Sequence, residues 1–240
     1  MRVRENPGSQ NGQGEDPVPG LKCDGTLERD LRARGYTCVA GTDEVGRGSL
    51  FGAVVAGAVI LDPDRPIRGL NDSKLLDPER REELAVRIRE RAMAWTVAAI
   101  DAVVIDQINI YQASRLAMKT ALQLLAVRPD FVLVDAVPLI IPQPQQALIH
   151  GDARCHAIAA ASIVAKVYRD EMMRKWDAVF PEYGLARNKG YLAPEHIRAL
   201  REYGPTPLHR MSYEPVRENC RFPIDPGPGQ LDLFAVAGAM

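Results

Sequence analysis

The stretch TCVAGTDEVGRGSLFGAVVAGAVIL (Thr37–Leu61) decides the fold. Its opening, TCVAGTD, reads as a strand running into Asp43. Ala53–Leu61 is an unbroken run of small and β-branched apolar residues, the pattern of a second strand buried on both faces. Between them lie an adjacent acidic pair, Asp43 and Glu44, and the turn-forming Gly46-Arg47-Gly48. Neighbouring side chains on a regular strand point to opposite faces. The pair can therefore share a ligand only where the backbone leaves strand geometry, which the two glycines permit.

Working outward, Asp77 reads as the N-cap of a helix with Pro78 at its first position and Leu84 and Ile88 turned inward. Trp95–Ile100 is a third strand, and Met118, Ala121, Leu122 and Leu125 mark the inner face of a helix that ends before Pro129. Phe131–Asp135 is a short buried strand, Ala147–His150 a fifth, Ala157–Trp176 a long alanine-rich helix and Pro194–Tyr203 a shorter one. Strands interleaved with helices predict a layered α/β domain. Residues 1–35 are expected to be a mostly disordered extension, with Leu27 and Leu31 spaced for one short helix. The compact domain is expected over 36–221. Residues 222–240, which open with a run of prolines and glycines, read as a flexible tail.

A chain of 240 residues, 46% of them hydrophobic, can bury a full core without disulfide or metal staples. The formal net charge of -1 excludes a strongly basic nucleic-acid coat, yet leaves room for a local basic face beside an acidic site. Cys23, Cys38, Cys155 and Cys220 are far apart and lack CxxC spacing, which points to reduced thiols and a cytoplasmic location. The N-terminus has no apolar signal-peptide core, and no stretch reaches the roughly 20 apolar residues of a membrane span. A soluble protein without a membrane partner is expected.

Three acidic sites fall at comparable positions: Asp43–Glu44 after one strand, Asp135 at the end of another, and Asp152 just after a third. Carboxyl ends of strands in an open α/β sheet are where ligands bind. A cluster of carboxylates suits Mg²⁺ or Mn²⁺, which take oxygen ligands and keep several waters. Taken singly, each of these acids also reads as a solvated strand end, and the spacing alone defines no metal motif.

The segment GTDEVGRGSLFGAVVAGAVIL (Gly41–Leu61) strongly resembles the opening motif of the ribonuclease HII family. LNDSK (Leu70–Lys74), LVDA (Leu133–Ala136), GDARCHAIAAASIVAKVYRD (Gly151–Asp170), FPEYGLARNKGY (Phe180–Tyr191) and YGPTPLHRMSY (Tyr203–Tyr213) follow in the family's order. The resemblance implies a ribonuclease H-like fold: a central mixed β-sheet flanked by helices, with a helical C-terminal extension. It also implies cleavage of RNA in RNA/DNA hybrids and incision 5′ of single ribonucleotides embedded in duplex DNA, as in ribonucleotide excision repair. The family's four acidic residues fall on Asp43, Glu44, Asp135 and Asp152, as catalytic and metal-holding groups for Mn²⁺ or Mg²⁺.

The same resemblance assigns substrate contacts to Gly46, Arg47 and Gly48, whose glycines would let the backbone approach a sugar. It also matches the family's substrate-sensing tyrosine to Tyr191, whose phenol would meet the 2′-hydroxyl. Residues 154–221 carry 12 Lys and Arg against 8 Asp and Glu. Ser162, Lys166 and Arg169 form one polar stripe on the long helix. With Lys74, Lys189 and Arg210, Ser162 and Lys166 are expected to face backbone phosphates, while Arg169 is left unassigned. The chain departs from the family pattern at Ser49, Phe51, Ala136, His150 and Asn188, none of them a carboxylate.

In the tail, Gln230-Leu231-Asp232-Leu233-Phe234 resembles the short peptide with which bacterial repair proteins bind the sliding clamp. Gln230, Leu231, Leu233 and Phe234 are therefore expected to contact that partner, and the chain to act as a monomer. Two alternatives remain at this stage. A ribonuclease HIII-like enzyme would call for a folded N-terminal domain that 35 polar residues cannot supply. A non-catalytic hybrid-binding adaptor would not need four carboxylates.

Overall fold

The computed structural model describes residues 23–220. Five strands, β1 (Val39–Val45), β2 (Val54–Ile60), β3 (Ala94–Ile100), β4 (Phe131–Asp135) and β5 (Gln145–Leu148), form one sheet in the order β3-β2-β1-β4-β5. β1 pairs antiparallel with β2 and parallel with β4, β2 pairs antiparallel with β3, and β4 pairs parallel with β5. The sheet is mixed, as the sequence suggests.

The period of two along each strand sorts the core into two sides. Ala40, Val54, Ala56, Ala58, Ile60, Val132 and Val134 pack with Ile105, Ala113, Ala117, Met118 and Ala121 of helix α3 (Ala102–Gln123). On the opposite side, Val59 meets helices α2 (Pro78–Arg91) and α4 (His156–Asp177), and Leu133 packs with Ala157 and Ile158 of α4. Asp77 caps α2 by accepting the Arg80 N–H at 2.7 Å, with Pro78 first in the helix, as expected.

α4 lies against the sheet backbone itself. A Cβ added at Gly41 would stand 2.1 Å from the Ala157 carbonyl carbon, and one at Gly57 2.3 Å from the Ala161 carbonyl oxygen. The glycine stripe on β1–β2 and the alanines one helical turn apart on α4 let the two elements meet with no side chain between them.

Four details differ from the sequence reading. β1 does not stop at Asp43. Asp43 and Glu44 stay in the ladder with β2, opposite Gly57 and Ala56, and the chain leaves the sheet only after Val45, at Gly46 with φ of 92°. The fifth strand lies two residues earlier than expected, and His150 adopts a left-handed conformation that turns the chain into the next element. The helix in the N-terminal extension, α1 (Thr26–Ala33), packs on the core: Leu31 is buried, and Glu28 Oε1 accepts the Ala157 N–H of α4 at 2.8 Å. The folded body therefore begins before Tyr36. Finally, α3 starts at Ala102 and is broken at Asn109, far ahead of the residues that marked its inner face. The clamp-like residues Gln230, Leu231, Leu233 and Phe234 lie outside the described residues.

Ala136 sits directly after β4 with φ of 55°, the left-handed region in which a Cβ is strained. This explains the glycine usual at that position in the resembled family. Ala136→Gly is expected to stabilise the fold by about 1 kcal/mol, because relief of strain outweighs the added chain entropy. A urea titration should show the midpoint rising with its slope unchanged.

Candidate active site

The four acids gather at the carboxyl end of β1 and β4. The last hydrogen-bonded pair of that parallel ladder is Thr42↔Val134. Asp43 and Asp135 are the next residue on each strand, so they stand side by side on the face that carries α4. Asp135 Oδ1 accepts the Gly151 N–H at 2.7 Å, which ties the strand end to the 3₁₀ turn Gly151–Ala153 holding Asp152. Glu44, on the alternate face, still feels Asp135 electrostatically, because β4 ends there and no sheet separates them.

Their electrostatics show mutual proximity. Burial, followed by the charges of Asp135 and Glu44, pushes the Asp43 carboxyl well above its ordinary value. Glu44 and Asp135 are also raised, chiefly by burial; Arg47 moderates the first and the Gly151 N–H and Lys74 the second. Asp152 is pushed up to about 7 by burial and by the charges of Asp72 and Asp135. Among the described residues, no three His, Cys, Asp or Glu side chains converge tightly enough to ligate one ion unaided. What stands there is an open, all-oxygen set under its own repulsion. Its chemistry fits a hard divalent cation, whose remaining positions water and phosphate fill.

Asp72 belongs to this cluster, and the sequence reading missed it. Its charge raises Asp152 and, to a lesser extent, Asp135. The signal available in the sequence is the Asn71-Asp72-Ser73 turn of the LNDSK segment, next to Lys74. Lys74 itself is exposed, and its charge lowers both Asp135 and Asp152.

The basic and hydroxyl residues divide into two groups. Arg47 is exposed and reaches Glu44 Oε1 at 3.3 Å. Lys166 pairs with Asp170 at 2.7 Å, and Lys189 Nζ donates to the Ala186 carbonyl at 2.6 Å. Ser162 is instead buried: its hydroxyl meets Ser73 Oγ at 2.9 Å and hydrogen-bonds Asp43, so it orients a carboxylate rather than facing solvent. Arg210 also departs from the phosphate-facing expectation. It is fully buried and donates to the carbonyls of Gly46 at 2.7 Å, Arg47 at 2.7 Å and Gly52 at 3.0 Å. The physical reason is that the loop after β1 leaves the sheet and exposes carbonyls that need donors from within.

Arg169, unassigned from sequence, is the counterpart of Arg210. Also fully buried, it donates to the carbonyls of Lys189 at 3.0 Å and Ala53 at 3.3 Å, and its guanidinium lies 5.3 Å from the Tyr191 ring centroid. A Cβ on Gly48 would sit 3.9 Å from Tyr191 Cε1, so the glycine loop and the tyrosine are neighbours. Leu50 N–H donates to the Gly190 carbonyl at 2.8 Å and fixes their spacing. Phe51, at a departure position, packs edge-on against Trp176, Phe180 and His209 behind this loop.

The chain is similar to known proteins over most of its length. The family model described as Ribonuclease HII matches residues 40–216. The chain is 69% identical over 226 residues to a Ribonuclease HII of Solibacter usitatus, covering 93% of this chain and 99% of that one. Among solved structures, ribonuclease H2 from Pyrococcus horikoshii OT3 is similar at a TM-score of 0.65 and 27% identity, covering 76% of this chain and 97% of that one. A structure of the PCNA:RNase HII complex from Archaeoglobus fulgidus is similar at a TM-score of 0.63 and 28% identity, covering 74% of this chain and 96% of the matched one.

Proposed function

The chain belongs to the ribonuclease HII family and is a ribonuclease H of type HII, and from that premise we propose that it incises 5′ of single ribonucleotides in duplex DNA as well as cutting the RNA strand of hybrids. The observation that carries this reading is the apposition of Tyr191 and Gly48, the latter on the loop that follows Asp43 and Glu44. A glycine backbone and a phenol that together border one sugar can test for a 2′-hydroxyl next to the scissile phosphate.

Asp43, Glu44, Asp135 and Asp152 would hold divalent cations, with Ser162 orienting Asp43 and the Gly151 N–H orienting Asp135. Mg²⁺ or Mn²⁺ at such a site supplies charge neutralisation for in-line phosphodiester hydrolysis, in the two-ion scheme common to nucleases. Arg47 and Lys74, whose charges act on the carboxylates, would contact the phosphate backbone together with Lys166 and Lys189. Water attacks phosphorus and the 3′-oxygen leaves, giving 3′-hydroxyl and 5′-phosphate ends. A labelled duplex carrying one ribonucleotide should be cut once, on the 5′ side of it, with Mg²⁺ or Mn²⁺ and not in EDTA. An all-DNA duplex should stay intact, and equal cutting of both would defeat the reading.

The tail segment Gln230–Phe234 supports a second contact, with the sliding clamp. The archaeal relative was solved in complex with PCNA, which favours this partner class. Triple replacement of Gln230, Leu233 and Phe234 by alanine should abolish clamp pull-down and leave cleavage of a short duplex unchanged.

A further inference from the structure

Three consecutive carbonyls around Tyr191 are each held by a different part of the fold. Arg169 Nη1 donates to Lys189 O at 3.0 Å, the Leu50 N–H to Gly190 O at 2.8 Å, and His196 Nδ1 lies 3.0 Å from Tyr191 O. The third link does not end at His196. Its Nε2 is 3.0 Å from Nε2 of His209, and His209 Nδ1 accepts the Thr206 N–H at 2.9 Å.

Each end of this chain meets a backbone group with a fixed role, and the Thr206 hydroxyl, 3.0 Å from the same His209 Nδ1, can donate there as well, so the proton positions follow. A backbone N–H only donates, which leaves His209 Nδ1 bare and its proton on Nε2. That N–H points at His196 Nε2, which must accept. The His196 proton is then on Nδ1, where it donates to the Tyr191 carbonyl, a group that only accepts. One arrangement satisfies every partner, and an extra proton on either ring would set two N–H groups face to face. Burial keeps the rings neutral: His196 is lowered, and His209 is pushed down to about 3. Both side chains are buried, beside Tyr183 and Phe51, a setting that apolar residues of similar volume would also fill. Packing alone therefore does not account for two imidazoles in series.

We propose that His196 and His209 are positioning residues for ribose recognition, fixing the Tyr191 backbone so that its phenol stands where a 2′-hydroxyl would be read. The inference rests on the assignment of Tyr191 given above. The Thr206–Arg210 segment thereby holds both walls of the reader, the glycine loop through Arg210 at the Gly46 and Arg47 carbonyls and Tyr191 through the histidines.

The test is a double-substitution cycle on the full chain, with a single-ribonucleotide duplex as substrate. His196→Leu should lower kcat/KM by about 10–100-fold, the range that displacement of a positioning group produces. In a Tyr191→Ala background it should lower it no further, while its effect on melting temperature persists in both backgrounds. His196→Asn, which restores an N–H donor near the Nδ1 position, should recover most of the loss. If His196→Leu does not fold, His196→Phe serves in its place: it fills the space of the ring and removes the donor to the Tyr191 carbonyl. Losses that multiply across the cycle, or a His196→Leu enzyme as fast as wild type, overturn the proposal. Should Tyr191→Ala alone cut like wild type, the tyrosine assignment fails first and this inference falls with it.

Discussion

Asp43→Asn should abolish cleavage and at the same time make the metal-free protein more stable. The amide keeps the shape and loses the charge that a hard cation needs. Because such a cation contributes several kcal/mol of transition-state charge stabilisation, kcat should fall at least about a thousandfold. Asp135→Asn should do the same, and the double variant no worse than either, since both side chains would serve the same centre. Stability moves the other way. Asp43 is buried beside Asp135, Glu44 and Asp152, and these charges disfavour its own. In EDTA near neutral pH, the melting temperature of Asp43→Asn should exceed that of wild type. The sign follows from linkage: a carboxyl raised by folding binds its proton more tightly in the folded state, so metal-free stability falls as pH climbs from the unfolded value through the folded one. For Asp152 that window runs from 3.8 to about 7. Persistent cleavage, or a lower melting temperature in EDTA, would refute the assignment.

The largest stability loss is expected from one methyl group. Gly41→Ala would drive a Cβ to 2.1 Å from the Ala157 carbonyl carbon, with neither the central strand nor the 22-residue helix free to give way. Overpacking commonly costs about 1–3 kcal/mol, and a backbone-to-backbone clash at the centre of the fold should reach or exceed the top of that range. Chemical denaturation measures it. Gly48→Ala is the matched control, because nothing stands nearer its added Cβ than Tyr191 Cε1 at 3.9 Å. Its stability should stay within about 0.5 kcal/mol of wild type while its cleavage of a single-ribonucleotide duplex drops. If Gly41→Ala matched that control in stability, the close packing of α4 on the sheet would be wrong.

These substitutions also mark where the sequence is readable. The strand ending at Asp135 announces itself by the apolar run Phe131–Val134, the one around Asp43 by the buried run Ala53–Leu61 that follows it, and the acids by their places at strand ends. Gly41 gives no such signal, since its partner Ala157 lies 116 positions away and glycine in a strand reads as weakness. Arg210 misleads, and Arg169 stays unreadable, for the opposite reason. Arginine on a helix or in a loop reads as surface, yet both are enclosed by carbonyls of the Gly46–Ala53 loop and, for Arg169, of Lys189, whose paths no local pattern reveals. Ser162 was placed on the right helix and the wrong face, because a polar stripe cannot distinguish solvent from a buried carboxylate. Glu28 was legible only as part of a short helix, although its carboxylate accepts the Ala157 N–H of α4.

The parallel pairing of β1 with β4 has a consequence for what can vary in this enzyme. Strands in a sheet lie about 4.8 Å apart, and Asp43 and Asp135 are one step beyond a hydrogen-bonded pair. Their separation is thus a gauge length cut by the peptide ladder, not a dimension that side chains negotiate. Glutamate at either position would lengthen one jaw of a vice whose frame stays still. Under the proposed function, choice among duplexes would fall to parts mounted on that frame: the loop at Gly46–Gly48, the Leu70–Lys74 turn and the tyrosine at 191.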